Sequence, residues 1–189
     1  MKQQRTIDRH ALLVACAADL LEEQGWGALT HRGLVARSGV PLASMTYYFD
    51  GVHDLVAQAA GELARRHLDR ARAVVEALPR RRSSAQHALD AVVEVLVGPA
   101  PTTLALEAFY ERYLRAGRSE RLRPLVVGWN AQLLELVTEV LDRTGRPGTP
   151  AQVRLLVAGL DGLLVTALAE GEPDPLAVAT SAAVPLLPG

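Results

Sequence analysis

Residues 30–55 read THRGLVARSGVPLASMTYYFDGVHDL, and the organisation of the chain turns on how this stretch folds. Thr30 offers a side-chain oxygen to the free N–H groups of a short helix running through about Arg37. Ser38-Gly39-Val40 then makes a tight turn, because Gly39 enters the left-handed backbone region without the steric cost of a Cβ. Pro41 suits the first turn of a second short helix, Leu42-Ala43-Ser44-Met45-Thr46-Tyr47-Tyr48, which stops near Phe49-Asp50-Gly51. Two short helices joined by a glycine turn and braced by a preceding helix make a helix-turn-helix, whose second helix enters the major groove of DNA. Leu34, Val35, Val40 and Phe49 are the expected inner face, with Ser44, Thr46, Tyr47 and Tyr48 at or near the outer one.

Outward from this stretch, no period-2 alternation is sustained and Ala, Leu, Arg and Glu dominate, so the chain reads as all-α. The bracing helix runs over about 7–24, with Leu12, Leu13, Cys16, Leu20 and Leu21 at helical spacing, and Gly25-Trp26-Gly27 turns it. A long helix follows over about 52–78 and breaks at Pro79-Arg80-Arg81-Arg82-Ser83. Glycine and proline clusters then separate five more helices, over about 84–97, 102–117, 120–143, 150–171 and 174–187.

The 189 residues are 49% hydrophobic and 22% charged, an ordinary balance for a folded protein with a sizeable core. The start MKQQRTIDRH is polar and no uninterrupted apolar run approaches the roughly 20 residues that span a bilayer, so a cytoplasmic location is expected. Cys16, the lone cysteine, reads as a small core residue rather than a reactive thiol. The net charge of −1 gives no basic surplus, so a DNA-binding reading rests on where charges sit. There is no Gly-rich phosphate loop, Cys/His metal spacing or Gly-x-Ser-x-Gly, and the five histidines are scattered. The expectation is therefore no enzyme, no cofactor and no metal.

Residues 30–55 resemble the DNA-binding segment of the TetR family, matching it at Thr30, Leu34, Gly39, Val40, Tyr47, Phe49, Asp54 and Leu55. With the first helix and its glycine turn, the resemblance covers about residues 7–60. It implies a dimeric regulator, a repressor that holds a pseudo-palindromic operator and senses a small molecule. By the same resemblance Thr30 turns backbone N–H groups toward a phosphate and Arg32 reaches a base edge. Ser44 and Thr46 donate to base or phosphate oxygens, and the Tyr47 hydroxyl to phosphate, with His31 and Tyr48 as further phosphate contacts. Leu42, Ala43 and His53 complete the DNA-facing set. The chain departs from the family pattern at Val52, where a lysine is common, and at Thr46, where an aromatic precedes Tyr47; His53 or Arg5 would partly replace the lysine. The alternative is a helical interaction protein that has lost DNA binding.

The helices near 120–143 and 150–171 are apolar around more than half their circumference and must bury two faces. Leu133, Leu136 and Val140 on one, and Leu156, Leu160 and Leu164 on the other, are the expected dimer interface. Gly159 and Gly162 either allow close approach there or relieve crowding inside the protomer. Phe109, Tyr110, Tyr113 and Trp129 gather most of the remaining aromatics; they suit a small-molecule pocket, and core packing would use them equally well. Glu107, Glu111 and Arg112 point inward or lie in solvent. With few inward charges to offer, the pocket is expected to take a mostly apolar or aromatic effector. The resulting division is a three-helix DNA-binding domain over 1–50, joined by the long helix to an effector-binding and dimerisation domain over 51–189.

Overall fold

The computed structural model describes residues 2–41 and 47–189, with side chains from residue 8 onward. The helix expected to open at Pro41, and with it Leu42, Ala43, Ser44 and Thr46, lies outside the described residues. The described helices are α1 (Lys2–Gln24), α2 (His31–Ser38), α3 (Val52–Ala77), α4 (Ala85–Val97), α5 (Thr103–Arg118), α6 (Arg123–Arg143), α7 (Pro150–Ala169) and α8 (Pro175–Ala183). Where boundaries differ from the sequence reading, the cause is local. Residues 120–122 form a turn in which the Leu122 and Arg123 N–H groups donate to the Ser119 carbonyl at 3.1 and 2.9 Å. Pro124 then falls in the first turn of α6, where no N–H is required. α8 stops at Ala183 because Pro185 cannot continue it, and the chain tightens into a 3₁₀ turn, Val184–Leu186.

The chain divides into two compact units, residues 1–66 with 115–125, and residues 67–114 with 126–189. In the first, α1 packs on α2, and the buried side chains include Leu13, Ala17, Leu20 and Leu21 of α1, Leu34 of α2 and Leu55 of α3. Cys16 is buried with them, and that burial pushes its thiol pKa up. A charged network fixes the angles of these helices. Arg37 donates to both oxygens of Glu23 at 2.6 and 2.7 Å, while Arg66 reaches Asp19 at 2.6 Å and Glu62 at 2.8 Å. Exposed pairs of this kind add little stability, so their contribution is to register.

In the second unit, Leu89, Val92, Val95 and Leu96 of α4 meet Leu68 and Val75 of α3, Val137 and Leu141 of α6, and Val153 of α7 in one core. α7 opens on a capping box, in which Thr149 accepts from the Gln152 N–H and the Gln152 side chain accepts from the Thr149 N–H. By length and mean hydropathy (1.5) this helix is able to cross a membrane, yet its stripe Val153, Leu156, Leu160, Leu164 and Ala167 is buried in the protein's own interior.

That stripe corrects the expected dimer residues. Leu133, Val140, Leu156, Leu160 and Leu164 are at most 4% exposed and belong to the protomer's own core; Leu136 is half-buried against it. Apolar periodicity shows that a helix has two apolar faces without showing which one turns inward. The face of α7 left outside carries Leu155 (60% exposed), Ala158, Gly162 and Val165, and α8 leaves Val178 exposed, followed by Val184. Gly159 serves the protomer, since a Cβ there would overlap Leu186 Cδ1, whereas nothing lies within 4 Å of a Cβ at Gly162.

Candidate functional site

The first turn of α2 is built by its cap. Thr30 has extended backbone (φ −113°, ψ 156°), and its Oγ1 accepts from the Gly33 N–H at 3.0 Å. Its carbonyl accepts from the Leu34 N–H at 2.9 Å. The backbone N–H groups ahead of Gly33 have no carbonyl one turn back to bond, and this is the geometry that binds an anionic oxygen. His31 and Arg32 are exposed on that turn, and among the described residues Arg32 pairs with no carboxylate, in contrast to Arg37. Gly33 carries no signal in the sequence that sets it apart from other helix residues. A Cβ there would sit 2.6 Å from the Ala28 carbonyl oxygen and 3.3 Å from Thr30 Oγ1, so glycine lets the turn Trp26–Ala28 close onto α2.

At the other end of α2, Gly39 takes the left-handed conformation (φ 68°, ψ 5°) and donates to the Val35 carbonyl at 2.9 Å. Leu34, Val40 and Phe49 are buried as expected, but Val35 is only half-buried. The Phe49 ring stacks on His10 with centroids 5.1 Å apart. Tyr47 is 76% exposed and meets the half-buried Tyr48 edge-on. His53 is exposed and Val52 half-buried. Asp54 Oδ2 accepts from the Asp50 N–H at 3.2 Å and from Gln58 Nε2 at 3.1 Å, and Arg121 lies 3.4 Å from Oδ1. Asp54 thus fixes the entry to α3.

In the second unit, Phe109, Tyr110 and Tyr113 of α5 and Trp129 of α6 border one cavity of about 280 Å³. The Phe109 ring lies 5.3 to 6.5 Å from the other three, within the range of favourable aromatic pairing. Leu133 lines the same cavity, which is another reason it does not face a second subunit. Polar groups sit among the rings. Asn130 Nδ2 donates to the Tyr113 hydroxyl at 2.8 Å, and the Tyr110 hydroxyl donates to Asp161 Oδ1 at 2.9 Å. Burial pushes the Asp161 carboxyl above the usual aspartate range, against the lowering effect of the Tyr110 hydrogen bond. Burial, together with the Asp161 charge, also pushes the Tyr110 phenol up. Trp129 Nε1 is buried without a hydrogen-bond partner among the described residues.

Glu107 and Glu111 are exposed and Arg112 is half-buried, while Asp161 is the carboxylate that borders the cavity. The sequence reading missed it. The available signal was an acidic residue inside the apolar run 155–168, but its partner Tyr110 is 51 positions away and only the fold brings them together.

The family described as "Tetracyclin repressor-like, C-terminal domain" matches residues 83–189, more than half of the chain. No curated protein matches it. Among solved structures, the multidrug binding protein EbrR complexed with ethidium is similar at a TM-score of 0.69 and 27% identity, over 96% of this chain and 99% of EbrR. A TetR-family member from Streptomyces coelicolor A3 is similar at a TM-score of 0.62 and 27% identity, again over 96% and 99% of the two chains. A TetR transcription regulator from Haloarcula marismortui ATCC 43049, at 18% identity, shares the fold with a TM-score of 0.70 over 95% of this chain and 96% of its own. EbrR has also been solved with proflavin and with malachite green.

Proposed function

The chain belongs to the TetR family of transcription regulators, and from that premise we propose that it is a ligand-responsive repressor. A dimer holds a pseudo-palindromic operator through residues 30–32 and 42–48, and a mostly apolar or aromatic effector in the cavity of the second unit releases it. The observation that carries the reading is the capped first turn of α2, with backbone donors that are unpaired among the described residues, Arg32 turned to solvent and an exposed Tyr47. Phosphate contacts from Thr30, His31, Tyr47, Tyr48 and His53 position the protein, Arg32 reads a base edge, and Ser44 and Thr46 donate to base or phosphate oxygens. Functionally the division is placed near residue 50, with DNA binding ahead of it and effector binding and dimerisation behind. A cytoplasmic location gives such a protein access to its operator.

Two modules reading two half-sites add their base contacts, which is the functional reason for a dimer. Its interface is assigned to the exposed apolar face of α7 and α8. The EbrR complexes with ethidium, proflavin and malachite green support an aromatic effector, since all three are aromatic compounds and the cavity here is edged by four aromatic rings. Release follows from linkage: a ligand that weakens operator binding must itself bind the operator complex less tightly.

The test is titration of the purified protein onto labelled duplexes from the DNA flanking its own gene, at low and moderate salt, with scrambled duplexes as controls. Tighter binding to a flanking duplex, reversed by an aromatic dye, is the expected result. Equal and weak binding to every duplex would replace this reading with the helical interaction protein, consistent with Val52 standing where a lysine is common.

A further inference from the structure

Resting on the reading of this cavity as the effector site, we propose that the effector is a positively charged aromatic compound and that Asp161 is its counter-ion. The carboxylate projects from α7 into a cavity edged by Phe109, Tyr113 and Trp129. Among the described residues it receives the Tyr110 hydroxyl at 2.9 Å and makes no ion pair. The other ionisable groups around it do not neutralise it. Arg154 borders the cavity from the same helix but is exposed and makes no ion pair among the described residues; the Tyr113 hydroxyl accepts from Asn130. His67 packs against the Phe109 and Trp129 rings, with Nε2 3.0 Å from the Val95 carbonyl.

A carboxylate in a mostly apolar cavity is costly unless something pairs with it. One hydrogen bond from a phenol leaves most of its acceptor capacity unused. A cationic ligand supplies the missing charge, and the negative faces of the surrounding rings attract the same cation. A neutral ligand would bury the carboxylate further without compensation, and an anion would be repelled. The upward displacement of the Asp161 pKa by burial agrees with a carboxylate that the protein itself desolvates.

The experiment uses the full chain carrying Trp26→Phe, so that Trp129 is the remaining tryptophan and its fluorescence reports on the cavity. Proflavin is the cationic probe, and acridine, the same ring system in neutral form at mildly alkaline pH, is the matched control. The parent is expected to bind proflavin about tenfold or more tighter than acridine. Asp161→Asn should remove most of that preference by weakening proflavin alone, and Asp161→Glu should keep it. Circular dichroism checks folding, and Asp161→Ser makes the same comparison if the asparagine variant does not fold. Equal affinity of the parent for both probes, or proflavin binding to Asp161→Asn at the parent's affinity, overturns the counter-ion and leaves the cavity as the effector site. If neither probe alters Trp129 fluorescence in the parent, the cavity reading fails and the counter-ion fails with it.

Discussion

Arg32 and Tyr47 are both exposed, but their chemistry assigns them different tasks at a DNA surface. Tyr47→Phe removes one hydroxyl and should weaken binding to operator and scrambled duplex by a similar factor. Arg32→Ala should cost about 1–3 kcal/mol against the operator and relax preference at one base position per half-site. Parallel titrations at fixed salt check both; equal losses on both duplexes for Arg32→Ala would make Arg32 a phosphate contact. Gly33 tests the local geometry beneath them. Alanine favours a helix over glycine by about 1 kcal/mol, yet a Cβ 2.6 Å from the Ala28 carbonyl forces the turn away from α2, so Gly33→Ala should lower the melting temperature and weaken operator binding together. Asp161 adds a pH dependence. Its folded-state pKa is raised, so the folded form binds more proton than the unfolded one, and stability falls as pH rises from the ordinary aspartate range through the raised value. Asp161→Asn should flatten thermal stability across that window and raise it above. Legibility in the sequence follows from residue type and range: Thr30 and Gly39 cap helices by the chemistry of their own residue types, Gly33 matters through a turn five positions back that no residue type announces, and Asp161 through a partner 51 positions away.

At the scale of helices, the sequence carried most of the arrangement because glycine and proline punctuate it. Thr149-Pro150 opens α7 and Gly39 closes α2 by the local chemistry those residues impose. Thr149→Ala removes the acceptor for the Gln152 N–H and the hydroxyl that donates to Gln152 Oε1, leaving the backbone half of the box, and should destabilise the protein by about 1 kcal/mol, read as a shift of the denaturant midpoint at constant slope. What periodicity did not carry was orientation. Leu155 and Leu156 are neighbours in an apolar helix, one 60% exposed and the other fully buried, and the inner set is selected by packing against α4 and α6. Leu156→Ala should accordingly cost about 2–5 kcal/mol as a core cavity, whereas Leu155→Ala should leave the stability of the protomer nearly unchanged. Urea unfolding of the two variants side by side checks the assignment of faces.

For the whole molecule, that difference between faces decides where the proposed dimer would form. Leu160 and Leu164, interface residues on the sequence reading, are at most 1% exposed and lie inside the protomer, so a charge at either would act by unfolding the core. The outer face of α7 offers Leu155, Ala158, Gly162 and Val165, and α8 brings Val178. Small side chains at 158 and 162 let a second helix approach closely, and the larger ones on either side supply apolar area. An isologous interface presents this patch twice, so a single substitution places two carboxylates against each other or against buried apolar surface. Leu155→Glu combined with Val165→Glu should therefore give a folded monomer, with the parent's helical content by circular dichroism and half its mass by light scattering. The monomer retains one recognition module, so its affinity for a full operator should drop to that for an isolated half-site while its cavity still binds proflavin. A double variant that remains dimeric would move the interface off α7. A monomer that binds the full operator as tightly as the parent would show that the two half-sites are not read together.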